Sequence, residues 1–91
     1  MTQINRIRCM EALLDELSAA LHAPGFTPGQ YEALRPAINE LSAYYEGPLW
    51  RQDFEDDCAG RLPTDLKRGV LSEDAVYNLL SEFDELRKQQ D

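Results

Sequence analysis

Four carboxylates crowd one short stretch of this chain, Asp53, Glu55, Asp56 and Asp57 in PLWRQDFEDDCAG, and no other group is so well placed for chemistry. Asp53, Glu55 and Asp57 occupy the first, third and fifth positions of an EF-hand calcium loop. The match ends there. Cys58 stands where the sharp turn needs glycine, and Thr64 where the bidentate glutamate belongs. Asp53 and Asp57 are also four residues apart, so on a helix their carboxyls share a face, as a general acid and base would. A general acid at neutral pH needs a desolvated carboxyl with a raised pKa, and nothing in so polar a segment predicts that burial. The residues themselves read as a solvated helix face.

The remaining chemistry-bearing side chains are sparse. His22 is the single histidine and has no Cys or Asp pattern beside it, so it is not read as a metal ligand. Cys58 follows Asp56 and Asp57, whose field disfavours a thiolate, and Cys9 beside Met10 reads as a half-buried filler. No glycine-rich phosphate loop, G-x-S-x-G or H-E-x-x-H is present. No catalytic, metal or cofactor-binding residue is assigned, and no cofactor is expected. Arg61, Lys67 and Arg68 form the one local excess of positive charge. They are too few for multi-phosphate contacts, and docking onto the Asp53–Asp57 face is the more physical use for them.

Helices must position these groups, because no segment alternates with period two for long enough to make a strand. Residues 2–22 carry Ile7, Met10, Leu14, Leu17 and Leu21 at steps of 3, 4, 3 and 4, with Arg6, Arg8 and Glu11 assigned to the opposite face. Thr27-Pro28-Gly29-Gln30 is a capping box with Pro at the first helical position, and Phe26 and Tyr31 stand at the staple positions. A second helix over 28–46 follows, with a kink predicted near Pro36 and a stop at Gly47-Pro48. A short helix over 48–58 ends before Gly60, and 63–68 is expected to form one helical turn halted by Gly69. Ser72 caps a last helix over 73–88, with Gln89 to Asp91 expected to fray. The expected fold is all-α: an antiparallel N-terminal helical hairpin, a short helix and a C-terminal helix in one domain spanning 1–91.

Composition bounds the partners. Seventeen acids against nine bases give a net charge of −8, which repels nucleic acid and anionic membranes and favours a basic protein partner. No stretch approaches the roughly 20 apolar residues that span a bilayer. The apolar run near Leu13 is broken by Glu11, Asp15 and Glu16, so a cytoplasmic chain with reduced thiols is expected. Tyr44, Tyr45, Trp50 and Phe54 gather around the Gly47-Pro48 bend. They suit either a second small core sealed by Leu62, Leu66 and Val70 or a partner-binding hot spot, and the core has the stronger claim in so small a domain.

Tyr44-Tyr45, Trp50, Asp53, Gly60, Leu62-Pro63, the run Asp65 to Asp74, Tyr77 and Leu79-Leu80 together resemble a family of small bacterial proteins, domain of unknown function 4298. The resemblance spans nearly the whole chain and is most specific from Tyr44 to Leu80. It implies a bacterial or phage source and an intracellular protein, and it brings no activity or catalytic residue. Cys58 departs from the acidic residue expected there.

The leading expectation is a non-enzymatic protein–protein interaction module. Its partner is a second copy, met through the heptad stripes of the first two helices, or a helix from another protein received by that seam. Tyr45, Trp50, Asp53, Phe54, Glu55, Asp56 and Asp57 are its candidate partner-binding residues. Thr27, Pro36, Gly47, Gly60, Lys67, Arg68, Gly69 and Ser72 are assigned structural roles. The alternatives are a nucleic-acid-mimicking inhibitor of a basic enzyme, of phage or anti-defence type, and an enzyme built on the carboxylates around Asp53.

Overall fold

Thr2 turns the chain into the first helix: its Oγ1 accepts the Asn5 amide at 3.2 Å, and the helix α1 runs Gln3–Leu21. The computed structural model describes residues 2–90. After a loop, the capping box closes in both directions. Thr27 N donates to Gln30 Oε1 at 2.8 Å, and Gln30 N to Thr27 Oγ1 at 3.3 Å, opening α2 at Pro28–Glu46. α2 continues without interruption through Pro36, which sits with Glu32 and Arg35 on the exposed side. The carbonyl that proline leaves without a helical donor is therefore the one on Glu32, an exposed residue.

α1 and α2 pack as an antiparallel hairpin, and α4, Glu73–Gln90, packs against both. Phe83 of α4 is buried at the loop end of that hairpin, between Phe26 and Tyr31, with ring centroids 6.0 and 6.2 Å away. The staple residues thus clamp a third helix as well as fixing the entry to α2. Ile7, Met10, Leu14 and Leu17 of α1 are buried in the same core as Leu41, Val76 and Leu79. Burying a side chain of this size stabilises by about 1.5–3 kcal/mol. The molecule is elongated, 43 × 22 × 22 Å, because its three long helices lie side by side. Among the described residues every regular element is helical.

α3, Pro48–Cys58, follows Gly47 directly and packs on α2. It ends in a Schellman arrangement: Gly60 N donates to Asp57 O at 3.0 Å and Arg61 N to Asp56 O at 2.9 Å, with Gly60 at φ 72°. A side-chain-bearing residue would be strained at that φ, so Gly60 is required by the backbone.

The chain from Gly60 to α4 differs from the single helical turn expected over 63–68. Leu66 N bonds to Pro63 O at 3.2 Å, and the turn stops there. A 3-10 turn over Gly69–Leu71 follows. Beyond that turn the backbone meets a competitor. The Val70 amide, which a continuing helix would aim at the Leu66 carbonyl, donates instead to Glu11 Oε2 of α1 at 2.7 Å. Glu11 is only 6% exposed, so its assignment to the charged face of α1 is corrected. Gly69 is glycine for the same reason. A Cβ there would lie 3.0 Å from Glu11 Oε1, so Gly69 admits the carboxylate rather than halting a helix. From the other side, Trp50 Nε1 donates to Val70 O at 2.9 Å.

Two further expectations change. Cys9 is exposed, not half-buried, and both cysteines are free thiols. α4 continues as helix through Gln89 and Gln90, where fraying is expected from the sequence, while Asp91 lies outside the described residues.

Candidate functional site

Asp53 sits one turn after Trp50 on the inward face of α3, and the two are the buried residues of that helix. The carboxylate is fully shielded from solvent at the point where α1, α2 and α3 meet. Arg6 approaches with both arms of its guanidinium, Nη2 to Oδ1 at 2.6 Å and Nε to Oδ2 at 3.0 Å. Tyr44 donates its hydroxyl to Oδ2 at 2.6 Å, and Gln3 Nε2 donates to Oδ1 at 3.0 Å. The same Gln3 amide reaches Asp56 Oδ2 at 2.7 Å. A buried charge is tolerated only when paired and hydrogen-bonded, and this one is both. Among the described residues, no buried side-chain nitrogen or oxygen lacks a partner.

The electrostatics follow from that geometry. Burial alone pushes the Asp53 carboxyl up, but the hydrogen bonds from Arg6, Tyr44 and Gln3 outweigh it and hold the group below its ordinary value of 3.8. Burial and the adjacent Asp53 carboxylate push the Tyr44 phenol well above its ordinary range. The hydrogen bond to Asp53 raises Arg6 despite partial burial, and Asp56 is lowered by Gln3 and then Arg61. Asp53 is thus an anion with its lone pairs filled, and Tyr44 a phenol whose proton is committed. The Tyr44–Asp53 bond ties α2 to α3, and Arg6 ties α1 to the same carboxylate.

The other sequence-selected residues are distributed unevenly. Asp56 takes Arg61 at 3.1 Å and Asp57 takes Arg68 at 2.6 Å, so two of the three bases lie on the acidic face of α3. Lys67 goes elsewhere, to Asp15 of α1 at 2.6 Å, a contact that raises its pKa. Glu55 is exposed and stands apart. The EF-hand spacing lies on a helix, where positions two apart turn away from one another, and among the described residues no three His, Cys, Asp or Glu side chains gather as metal ligands would.

Tyr45, Trp50 and Phe54 do come together. Trp50 stacks on Phe54 at 5.1 Å with 16° between planes, and Tyr45 meets the indole edge-on at 4.9 Å. Trp50 is buried and belongs to the same core as Leu62, Leu66 and Val70, so the aromatics continue the main core rather than forming a second one. Sequence reasoning missed Gln3, Arg6 and Glu11. The signal for the first two was available: an aspartate beside Trp50 and Phe54 on an apolar helix face requires a donor.

The surface holds what the interior does not use. Tyr77 of α4 is 61% exposed and Leu49 of α3 46%, the two exposed large apolar residues among those described. Tyr77, Tyr45, Ser42 and Leu80 line a groove of about 340 Å³ between α2 and α4. A second groove, of about 350 Å³, lies between Leu21 and Phe26 at the hairpin loop and Leu86 of α4. His22 and Glu82 stand at its edge, 3.8 Å apart.

Comparison with known families settles membership. A model described as domain of unknown function (DUF4298) matches residues 7–90. The chain belongs to that family. No curated protein and no solved structure gave a match. The DUF4298 match takes in Asp53, Tyr44, Trp50 and the Val70 turn, and begins just after Arg6. No helix among the described residues of this DUF4298 chain is long and apolar enough to cross a membrane.

Proposed function

We propose that this chain is a small acidic protein–protein interaction module with no catalytic chemistry of its own. The observation that carries the reading is a division between inside and outside. The side chains suited to proton transfer, Asp53 and Tyr44, are bonded to one another and sealed within the helix junction. The outward-facing features are apolar and acidic: Tyr77, Leu49 and a net charge of −8. Exposed aromatic side chains beside polar rims are what protein interfaces anchor on.

The heptad stripe of α1 is already covered by the 3-10 turn, α2 and α4, so the partner meets outer faces instead of that seam. A bacterial cytoplasm is the setting that fits the family and the free thiols. A second copy remains an admissible partner through those outer faces. The mimicry of nucleic acid draws less support, because Asp53, Asp56 and Asp57 are each neutralised by an arginine within the chain.

The test pairs two classes of variant in the native host. Tyr77→Ala and Leu49→Ala should lose the partner captured by wild-type protein while melting at the same temperature. Asp53→Asn should lose it only in proportion to lost folding. An Asp53→Asn protein that melts as wild type yet abolishes the cellular phenotype would return the carboxylate-enzyme reading to first place.

A further inference from the structure

The groove beneath Tyr77 does not end at the tyrosine. A second cavity of about 210 Å³, bordered by Ile38, Asn39 and Phe83, adjoins it and shares Ser42, Leu80 and Asp84 with it. Together they form one furrow along the α2–α4 seam. On α2 it extends from Tyr31 to Glu46, about 22 Å at the rise of an α-helix. That length suits a guest helix of about four turns.

The charges along the furrow are polarised. At its Tyr77 end stand Glu46, Glu73 and Asp74, none of which has an ion-pair partner among the described residues. Glu73 is tied to the furrow wall, since Tyr45 Oη donates to its carbonyl at 3.2 Å. Asp74 and Glu73 precede Tyr77 by three and four residues, the spacings that share a helix face. Where the two cavities meet, Asp84 is neutralised by Arg87 and Lys88 at 3.0 and 3.3 Å, and Arg87 lines the cavity away from Tyr77. The lining between is mixed: Ile38 and Leu80, both half-buried, alternate with Ser42 and Asn39.

We infer that the α2–α4 furrow is the docking site, and that its occupant is an amphipathic helix of a protein partner with lysine or arginine at the end lying over Glu46 and Glu73. Charge complementarity selects that occupant: three free acids stand at one end and Arg87 at the other, with Ile38 and Leu80 between them to take apolar side chains. A helix laid in a hydrophobic groove anchors through residues three and four apart, and Tyr77 supplies the rigid aromatic contact on this side. The inference rests on the interaction reading given above, and it adds the surface and the partner class.

The probe is a synthetic 16-residue helix with a leucine face and lysines confined to one end, titrated into the isotopically labelled full chain. Its controls are a scrambled peptide of identical composition and a peptide with the lysines moved to the other end. The expected result is amide shifts confined to residues 31–46 and 77–87, with the intended peptide binding about tenfold tighter than either control. Tyr77→Ala and Glu46→Gln should each weaken binding about tenfold, while Glu16→Gln on the exposed face of α1 should not. Equal binding of the scrambled peptide, or shifts at Leu21, would overturn the furrow assignment. So would a dimer in sedimentation that Tyr77→Arg dissolves, since a second copy would then be the occupant. A host partner that crosslinks through Leu49 and not Tyr77 would also overturn the furrow, yet leave the interaction module standing. Failure of both positions to crosslink any protein would sink both.

Discussion

Asp53 and Glu11 are both cut off from solvent, yet they are held in opposite ways. Asp53 receives a guanidinium fork, a phenol and an amide, all of them side chains. Glu11 receives the Val70 backbone amide at 2.7 Å, and its nearest cation, Lys67, is 4.0 Å away and largely exposed. The first arrangement depends on charge, because its strongest partner is a cation in a water-poor junction. The second depends on the presence of an acceptor, because a neutral carbonyl oxygen could serve a backbone N–H. Burial alone therefore does not tell whether a carboxylate must be ionised; the donors decide that.

The comparison is most exposed to a substitution that removes one anchor outright. Asp53→Ala leaves Arg6 and Tyr44 facing an empty, dry junction, and breaking a buried pair on one side costs about 3 kcal/mol or more. Urea denaturation should show a loss of that size, with Asp53→Asn recovering only part of it. An Asn variant as stable as wild type would remove the claim that charge matters at this site.

Glu11→Ala should cost about 2 kcal/mol, the penalty for a buried amide left without its acceptor. Glu11→Gln should cost less than about 1 kcal/mol, since its carbonyl can still accept from Val70. Gly69→Val belongs to the same experiment. Its Cβ would crowd Glu11 Oε1 at 3.0 Å and push the carboxylate off the amide, with a loss of about 2 kcal/mol. If Gln at position 11 proves as damaging as Ala, the two carboxylates are not different in kind.

Acid titration sharpens the contrast without mutation. The folded pKa of Asp53 lies below its ordinary value of 3.8, so the stability it adds is fully present above that value and is lost as pH falls through the folded pKa. Melting temperature should hold from neutral pH to about pH 5 on this account and then decline. Asp53→Asn should flatten that decline. The smallest effect is expected outside the core: Tyr77→Ala should change stability by no more than about 0.5 kcal/mol, because the ring is mostly in water.

What could be read from the sequence was local. The capping box at Thr27 and Gln30, the prolines opening α2 and α3, and the stop at Gly60 each depend on residues within four or five positions of one another. Their physics is complete inside a short window. The buried carboxylates could not be read in that way. Arg6 and Asp53 are 47 positions apart, and Glu11 and Val70 are 59 apart. Periodicity assigned Arg6 and Glu11 to the face opposite the apolar stripe of α1, and a long side chain at the border of a stripe can turn either way. The 3-10 turn at Gly69–Leu71 was hidden for the same reason: its Val70 amide goes to a carboxylate on another helix, and no local signal announces a distant competitor for a backbone amide. The aromatic group was legible as a cluster but not as part of the main core, since that depends on where Leu62 and Val70 return.

Val70 is gripped on both edges of its own peptide groups, by Glu11 from one helix and by the indole of Trp50 from another. Those bonds close loops of 59 and 20 residues, which the α1–α2 hairpin can form without. The 59-residue closure onto Glu11 exceeds any separation inside the α1–α2 hairpin, so the Gly69–Leu71 segment should dock after that hairpin has formed. The chain has one tryptophan, and it is a party to that docking. Its fluorescence should thus lag behind helix formation in a refolding trace, reporting the moment when the third wall of the molecule closes.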